Sequence, residues 1–242
     1  MTGPTPLLAT EHLAKRFGGV IATDDVSVTV EAGDLQCIIG PNGAGKSTLF
    51  SLLCGIQHPD AGRILFKGED ITRLPPFARV RKGLGLTFQT NRSFVELDVS
   101  QNLAIPMAAM RAARGAEAEE RYRYAQDLFG LAEDDPTPVR ELAHDRRQWL
   151  EMLMVLAGGP ELLLLDEPTA GMSPDETSQT AKVLHHLNAT GLTIIVVEHD
   201  IAFVREVARR VTVLHQGRVF ADGALDEIAG RQDVRDIYLG RA

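Results

Sequence analysis

The chain has 242 residues, 44% of them hydrophobic, and carries a net charge of −8 at pH 7. That length supplies enough apolar material for one large domain, or a core with a smaller subdomain, without a disulfide or metal staple. The acidic balance excludes broad nucleic-acid binding, and no run approaches the roughly 20 apolar residues of a membrane span.

Met1 to Thr10 lacks the basic and apolar regions of a signal peptide. Leu8 to Arg16 and Val26 to Val30 are predicted strands, the second from its alternation before the Glu31-Ala32-Gly33-Asp34 turn. Between them lies Phe17. Its ring fits two readings equally: a platform for a stacked adenine, or a core residue at a strand end. Leu35 to Ile39 is a short apolar strand that delivers Gly40-Pro41-Asn42-Gly43-Ala44-Gly45-Lys46-Ser47, followed by Thr48. This stretch fits G-x-x-x-x-G-K-[ST], whose glycines let backbone N–H groups turn inward around a triphosphate. Lys46 is placed to reach the β and γ phosphates and Ser47 a magnesium ion. Lys46 to Cys54 is the predicted helix, with its positive end toward the phosphates. Cys37 and Cys54 form no C-x-x-C pair and are expected to be reduced core thiols in a cytosolic protein.

Beyond the Pro59 to Gly62 turn, Arg63 to Phe66 and the Lys67 to Asp70 link predict an antiparallel patch beside the main sheet. Gly83 to Phe88 is a further strand that ends at Gln89. That side chain is placed to orient water or magnesium beside the γ-phosphate, although a lone glutamine there is also an ordinary loop residue. From Asp98 to about Ala157 the pattern turns helical, with Ala104 to Gly115 and Ala116 to Gly130 as two helices. The arginines Arg111, Arg114, Arg121 and Arg123 are interspersed with Glu117, Glu119 and Glu120, which reads as a solvated face rather than a nucleic-acid surface.

The α/β pattern returns at Leu162 to Leu165, a run apolar enough for a central parallel strand. It delivers Asp166 and Glu167 at its C-terminal end, where open α/β sheets place their ligands. One carboxylate can hold magnesium, and Glu167 can act as general base on the attacking water. Ser173 to Ala189 is a helix with Pro174 near its start. Thr193 to Val197 is another buried strand, ending in Glu198-His199-Asp200. His199 thus shares one sheet edge with Lys46 and Glu167, which favours a γ-phosphate contact over simple packing.

These segments together resemble the ATP-binding cassette (ABC) ATPases in order and spacing over nearly the whole chain. The finer pattern is similar to the cassettes of branched-chain amino acid and urea importers: Lys15-Arg16-Phe17-Gly18-Gly19, Gln89-Thr90-Asn91-Arg92, Ala170-Gly171-Met172-Ser173-Pro174 and Asp236-Ile237-Tyr238-Leu239-Gly240. The resemblance implies an α/β fold with a P-loop NTPase (RecA-like) core, an antiparallel β subdomain and a mainly helical insertion. Residues 1–92 and 160–242 would form the nucleotide-binding core and 93–159 the helical subdomain. It further implies ATP and Mg2+ as ligands, with Ser47, Gln89 and Asp166 around the metal. The implied partners are permease subunits, a second cassette and, indirectly, a solute-binding protein, and the implied place is the cytoplasmic face of the inner membrane. ATP hydrolysis would drive import; an exporter or lipid-extraction ATPase, or a hydrolysis-poor half of an asymmetric heterodimer, are the alternatives.

One segment departs from that family. Where a Leu-Ser-Gly-Gly-Gln type signature should stand, the chain has Leu142-Ala143-His144-Asp145-Arg146. Ala143 lacks the hydroxyl and Asp145 sets a carboxylate where a partner's γ-phosphate would approach, a repulsion that Arg146 would have to offset. Asp145 with Gln148 also fits a variant capping box, which makes Asp145 the expected helix cap. The expectation is an impaired signature and a heterodimer with a cassette whose signature is intact.

Overall fold

The computed structural model describes residues 5–87, 92–110 and 115–239. The strand β1 (Leu8–Phe17) turns tightly into β2 (Val20–Val30), and β3 (Leu35–Ile39) leads through the glycine-rich loop into α1 (Lys46–Cys54). Next come β4 (Ala61–Phe66), β5 (Glu69–Asp70), α2 (Pro76–Arg81) and β6 (Leu84–Leu86), and then the helices α3 (Val99–Met110), α4 (Ala116–Phe129) and α5 (His144–Leu156). The chain closes with β7 (Leu162–Asp166), α6 (Pro174–Ala189), β8 (Thr193–Val197), α7 (Ile201–Val207), β9 (Arg210–His215), β10 (Arg218–Ala224), α8 (Leu225–Gly230) and α9 (Gln232–Leu239).

Two sheets result. An antiparallel sheet has the order β2-β1-β4-β5, and a six-stranded sheet has the order β10-β9-β3-β8-β7-β6. In the second, β9, β3, β8, β7 and β6 run parallel and only the edge strand β10 is antiparallel. Every residue of β3 and β8 is buried, as a strand covered on both faces requires. Alternation sorts their side chains into two cores. Leu35, Cys37, Ile39, Leu163 and Leu165 face the layer of α5 and α6. Ile38, Leu162 and Leu164 instead pack with Leu49, Phe50 and Leu53 of α1 and with the antiparallel sheet. Burial pushes both cysteine thiols above their ordinary range, so they are inert core groups.

Three of the boundaries that differ from the sequence reading have a clear physical cause. β2 starts at Val20 rather than Val26, because its first residues pair with the exposed end of β1, where no apolar alternation is required. The first insertion helix starts at Val99, its Asp98 carboxylate accepting from the backbone N–H of Gln101 at 2.7 Å. α5 starts at His144 with Ala143 as its N-cap, so Asp145 lies inside the first turn and is not the cap. The proposed capping box fails at its other end as well: among the described residues Gln148 Oε1 is buried without a hydrogen-bond partner. By contrast α6 has a complete box, Ser173 exchanging bonds with Glu176.

Candidate functional site

The glycine-rich loop is held from outside by backbone. Ala44 O accepts from Gly217 N at 3.0 Å, and Gly217 O accepts from Asp24 N at 2.7 Å, so β2 and the β9–β10 turn brace it. The packing leaves no room for a side chain at two positions. A Cβ at Gly40 would lie 2.3 Å from Leu214 O, and one at Gly45, where φ is 102°, would lie 2.3 Å from Ala22 O. Gly45→Ala should therefore displace the loop and weaken ATP binding by about tenfold or more, since strain of this kind costs about 1–3 kcal/mol. Titration of the purified variant with a fluorescent ATP analogue reads this directly; affinity equal to wild type would refute it.

Within the loop, Pro41 is half-buried, Asn42 and Gly43 are exposed, and Ala44 is buried. Lys46 is buried to 8% exposure and donates from Nζ to the carbonyls of Gly40, at 2.7 Å, and Pro41, at 3.3 Å. Burial lowers its pKa, while the carboxylates of Glu167, Asp166 and Glu198 oppose that shift. The ammonium thus sits at the mouth of the loop facing three carboxylates. Ser47 is exposed and Thr48 half-buried at the N-terminus of α1, where free N–H groups and the helix dipole favour an anion.

β7 delivers Asp166 and Glu167 to this place. Burial, then the neighbouring charges of Glu167 and Glu198, push the Asp166 carboxyl up to about 6, against the pull of Lys46. Glu167 adopts a left-handed backbone, φ 48°, unusual for a residue with a side chain, and its N–H donates to Val197 O at 2.9 Å. That turn aims the carboxylate at His199, whose Nδ1 lies 3.1 Å from Glu167 Oε1. The His199 side chain is 58% exposed and that of Glu167 21%, so both open toward solvent.

The sequence reading assigned no role to Glu198, and the structure supplies one. It is 1% exposed; its Oε1 accepts from Thr169 Oγ1 at 2.9 Å, and its Oε2 from the N–H groups of His199, at 2.8 Å, and Asp200, at 3.1 Å. Glu198 therefore fixes both the loop after Glu167 and the backbone of His199. A carboxylate directly after the apolar run Ile194 to Val197 was the available signal. Asp200 caps α7 by accepting from the N–H groups of Ala202 and Phe203.

Phe17 is 47% exposed at the tip of the β1–β2 hairpin, with Lys15 Nζ 5.5 Å from its ring centroid. The alternative of a core residue is thereby excluded. Gln89 lies outside the described residues. In the signature segment, Arg146 donates to Gly130 O at 2.6 Å, so its guanidinium is directed to the end of α4 rather than beside Asp145 as a counter-charge. His144 Nε2 lies 3.0 Å from Ala170 O.

A sequence model of the ABC transporter family matches residues 23–170. The chain belongs to the ABC transporter ATPases. The cassette is 35% identical over 252 residues to the high-affinity branched-chain amino acid transport ATP-binding protein LivG of Salmonella typhimurium (strain LT2), covering 98% of this chain and 99% of the relative. It is 34% identical over 236 residues to the lipopolysaccharide export system ATP-binding protein LptB of Escherichia coli (strain K12), covering 96% and 97%. Among solved structures, the ADP conformation of MJ1267, an ATP-binding cassette of an ABC transporter, superposes with a TM-score of 0.83 at 29% identity, covering 97% of this chain and 99% of that one. CbiO1 of Clostridium perfringens, part of the ABC transporter complex cbiONQ, gives a TM-score of 0.79 at 30% identity, covering 97% and 95%. The fold is accordingly that of a P-loop NTPase, and this cassette is an ATP-binding, ATP-hydrolysing subunit of a transporter.

Proposed function

We propose that this cassette energises an importer of branched-chain amino acids or a related small polar solute, at the cytoplasmic face of the membrane, as a peripheral subunit. The observation that carries the catalytic part is the convergence of Lys46, Asp166, Glu167 and His199 on one edge of the parallel sheet. The loop 40–48 cradles the phosphates, Phe17 stacks the adenine, Lys46 bonds the β and γ phosphates, and Glu167 takes the proton of the attacking water. His199 steadies Glu167 and contacts the γ-phosphate. Gln89 completes the set in this reading.

The donors present fit magnesium. The Ser47 hydroxyl and the Asp166 carboxylate are hard oxygen ligands, and the crowding of Asp166 by two further carboxylates is an excess of negative charge that a divalent cation relieves. Bound there, the ion would neutralise charge on the phosphates. Among the described residues no group of three or more His, Cys, Asp or Glu side chains is placed to hold a metal alone.

Among the described residues no helix is long and apolar enough to cross a membrane, so the membrane role requires a partner. A groove of about 510 Å³ between α2, α3 and α5 is lined by Phe77, Val80, Leu86, Ile105 and Met154 with Glu151. Phe77 is 63% exposed at its rim. An exposed apolar groove of this kind supports docking of a permease segment. The similarity to LivG and the importer-like segments around Phe17 and Ala170 favour import; the comparable identity to LptB supports export as the second reading.

Reconstitution with branched-chain amino acid permease subunits and their solute-binding protein tests the proposal. Leucine-loaded binding protein should stimulate ATP turnover, and Phe77→Glu should lose that stimulation. A complex that responds to a lipid substrate and not to any amino acid or urea would overturn the import reading.

A further inference from the structure

Arg79 has no role in the chemistry above, and it is the largest fully buried side chain in the molecule's described part, with 0% exposure. Among the described residues it makes no ion pair. Its guanidinium instead donates to four backbone carbonyls: Nη1 to Leu52 O at 2.8 Å and Leu53 O at 2.7 Å, Nη2 to Thr72 O at 3.1 Å, and Nε to Leu74 O at 3.0 Å. A buried cation with no ion-pair partner is costly, and burial lowers its pKa to about 10 against the pull of Asp70, which still leaves it charged at neutral pH.

The position explains what that cost accomplishes. Leu52 and Leu53 end α1, where carbonyls lack helical partners and the dipole is negative, so a cation is favoured. Thr72 and Leu74 belong to the turn that feeds α2. The planar fork therefore pins the C-terminus of α1 to the start of α2 with fixed geometry, which the point charge of a lysine cannot reproduce. The packing around it is close. Gly55, at φ 78°, has no room for a Cβ, which would lie 2.7 Å from both Arg79 Nε and Leu74 O. Two surfaces meet through this clamp. The N-terminus of α1 is the phosphate loop with Lys46, about 13 Å away along a nine-residue helix. The outer side of α2 carries Phe77, Val80 and Arg81, which line the groove.

We propose that Arg79 is a positioning residue that couples nucleotide at the N-terminus of α1 to the docking groove on α2, so that phosphate occupancy and partner docking influence each other through one buried guanidinium. Thermodynamic coupling is reciprocal, so nucleotide alone must alter α2 in the isolated chain. The functional meaning of the coupling rests on the groove being the permease site, but its existence does not.

Amide hydrogen exchange of the isolated chain with and without MgADP tests it, comparing wild type, Arg79→Lys and Arg79→Met. In the wild type, MgADP should slow exchange of the α2 amides, Ala78 to Lys82, by about fivefold, the low end of ordinary coupling between sites. In Arg79→Met, MgADP should still protect the start of α1 but leave α2 unchanged; Arg79→Lys, which keeps the charge and not the fork, should fall between. A merely structural role would speed α2 exchange in the variants while preserving the nucleotide-induced difference, and that result overturns the proposal. No MgADP effect on α2 in the wild type overturns it as well. Should Arg79→Met not fold, Arg79→Lys and the wild type decide. A groove that docks something other than a permease would change the Phe77→Glu result and leave this one standing.

Discussion

Glu167→Gln should bind MgATP with wild-type affinity and lose turnover by about 10²–10⁴-fold, the usual contribution of a positioned general base. The substitution keeps the shape of the side chain and its contact with His199, which lies 3.1 Å away, but removes the basic oxygen. Three features of the site favour Glu167 over Asp166 as the proposed base. Glu167 projects from a left-handed residue, φ 48°, at the end of β7, so its direction is fixed by a backbone that the Val197 carbonyl holds at 2.9 Å. Its side chain is 21% exposed, open enough to reach water. Asp166, by contrast, is pushed up to about 6 by burial and by the charges of Glu167 and Glu198, which suits a group that receives a cation. Phosphate release at saturating MgATP, beside an equilibrium binding titration, separates the two effects. Turnover within a few-fold of wild type would mean that another group, or the substrate itself, takes the proton. Loss of binding would instead place Glu167 among the groups that hold the ground state.

The parts of the fold legible in the sequence are those where the local signal and the tertiary demand coincide. β3 and α1 fall where the apolar run and the glycine punctuation put them, because a strand buried on both faces must be apolar throughout and the loop needs glycines wherever backbone approaches it. β8 follows the same logic. Depth is what the pattern does not show. Arg79 sits in the basic-looking stretch Arg79-Val80-Arg81-Lys82 and reads as surface, yet is fully buried because carbonyls at the end of α1 needed donors. Glu198 reads as the polar end of a strand, and its burial follows from three donors converging on it from Thr169, His199 and Asp200. The first half of β2 was hidden for the opposite reason: it is an exposed hairpin arm, where nothing forces alternation.

Asp145→Gly combined with Ala143→Ser should raise the turnover of the chain acting as its own partner by at least about tenfold. The N-terminus of α5, a helix of 13 residues, presents the unpaired N–H groups of a first turn and the positive end of a dipole, a natural anion site. In the closed pair it would face the γ-phosphate held by the other subunit. A carboxylate about 4 Å from a phosphate charge costs on the order of 4 kcal/mol at an effective dielectric of 20, an upper bound for a half-exposed group. Each 1.4 kcal/mol is about tenfold. The structure removes the two escapes open to Asp145: it does not cap the helix, since Ala143 holds the N-cap position with no side-chain cap bond, and Arg146 is engaged with Gly130 rather than screening it. Its carboxyl reaches that of Glu176, at the start of α6, in a hydrogen bond that lowers the Glu176 pKa. A large gain of turnover would show that the signature limits the homodimer, and that the chain works beside a second cassette that supplies an intact one. Unchanged turnover would show that Asp145 swings clear on closure and that two copies of this chain suffice.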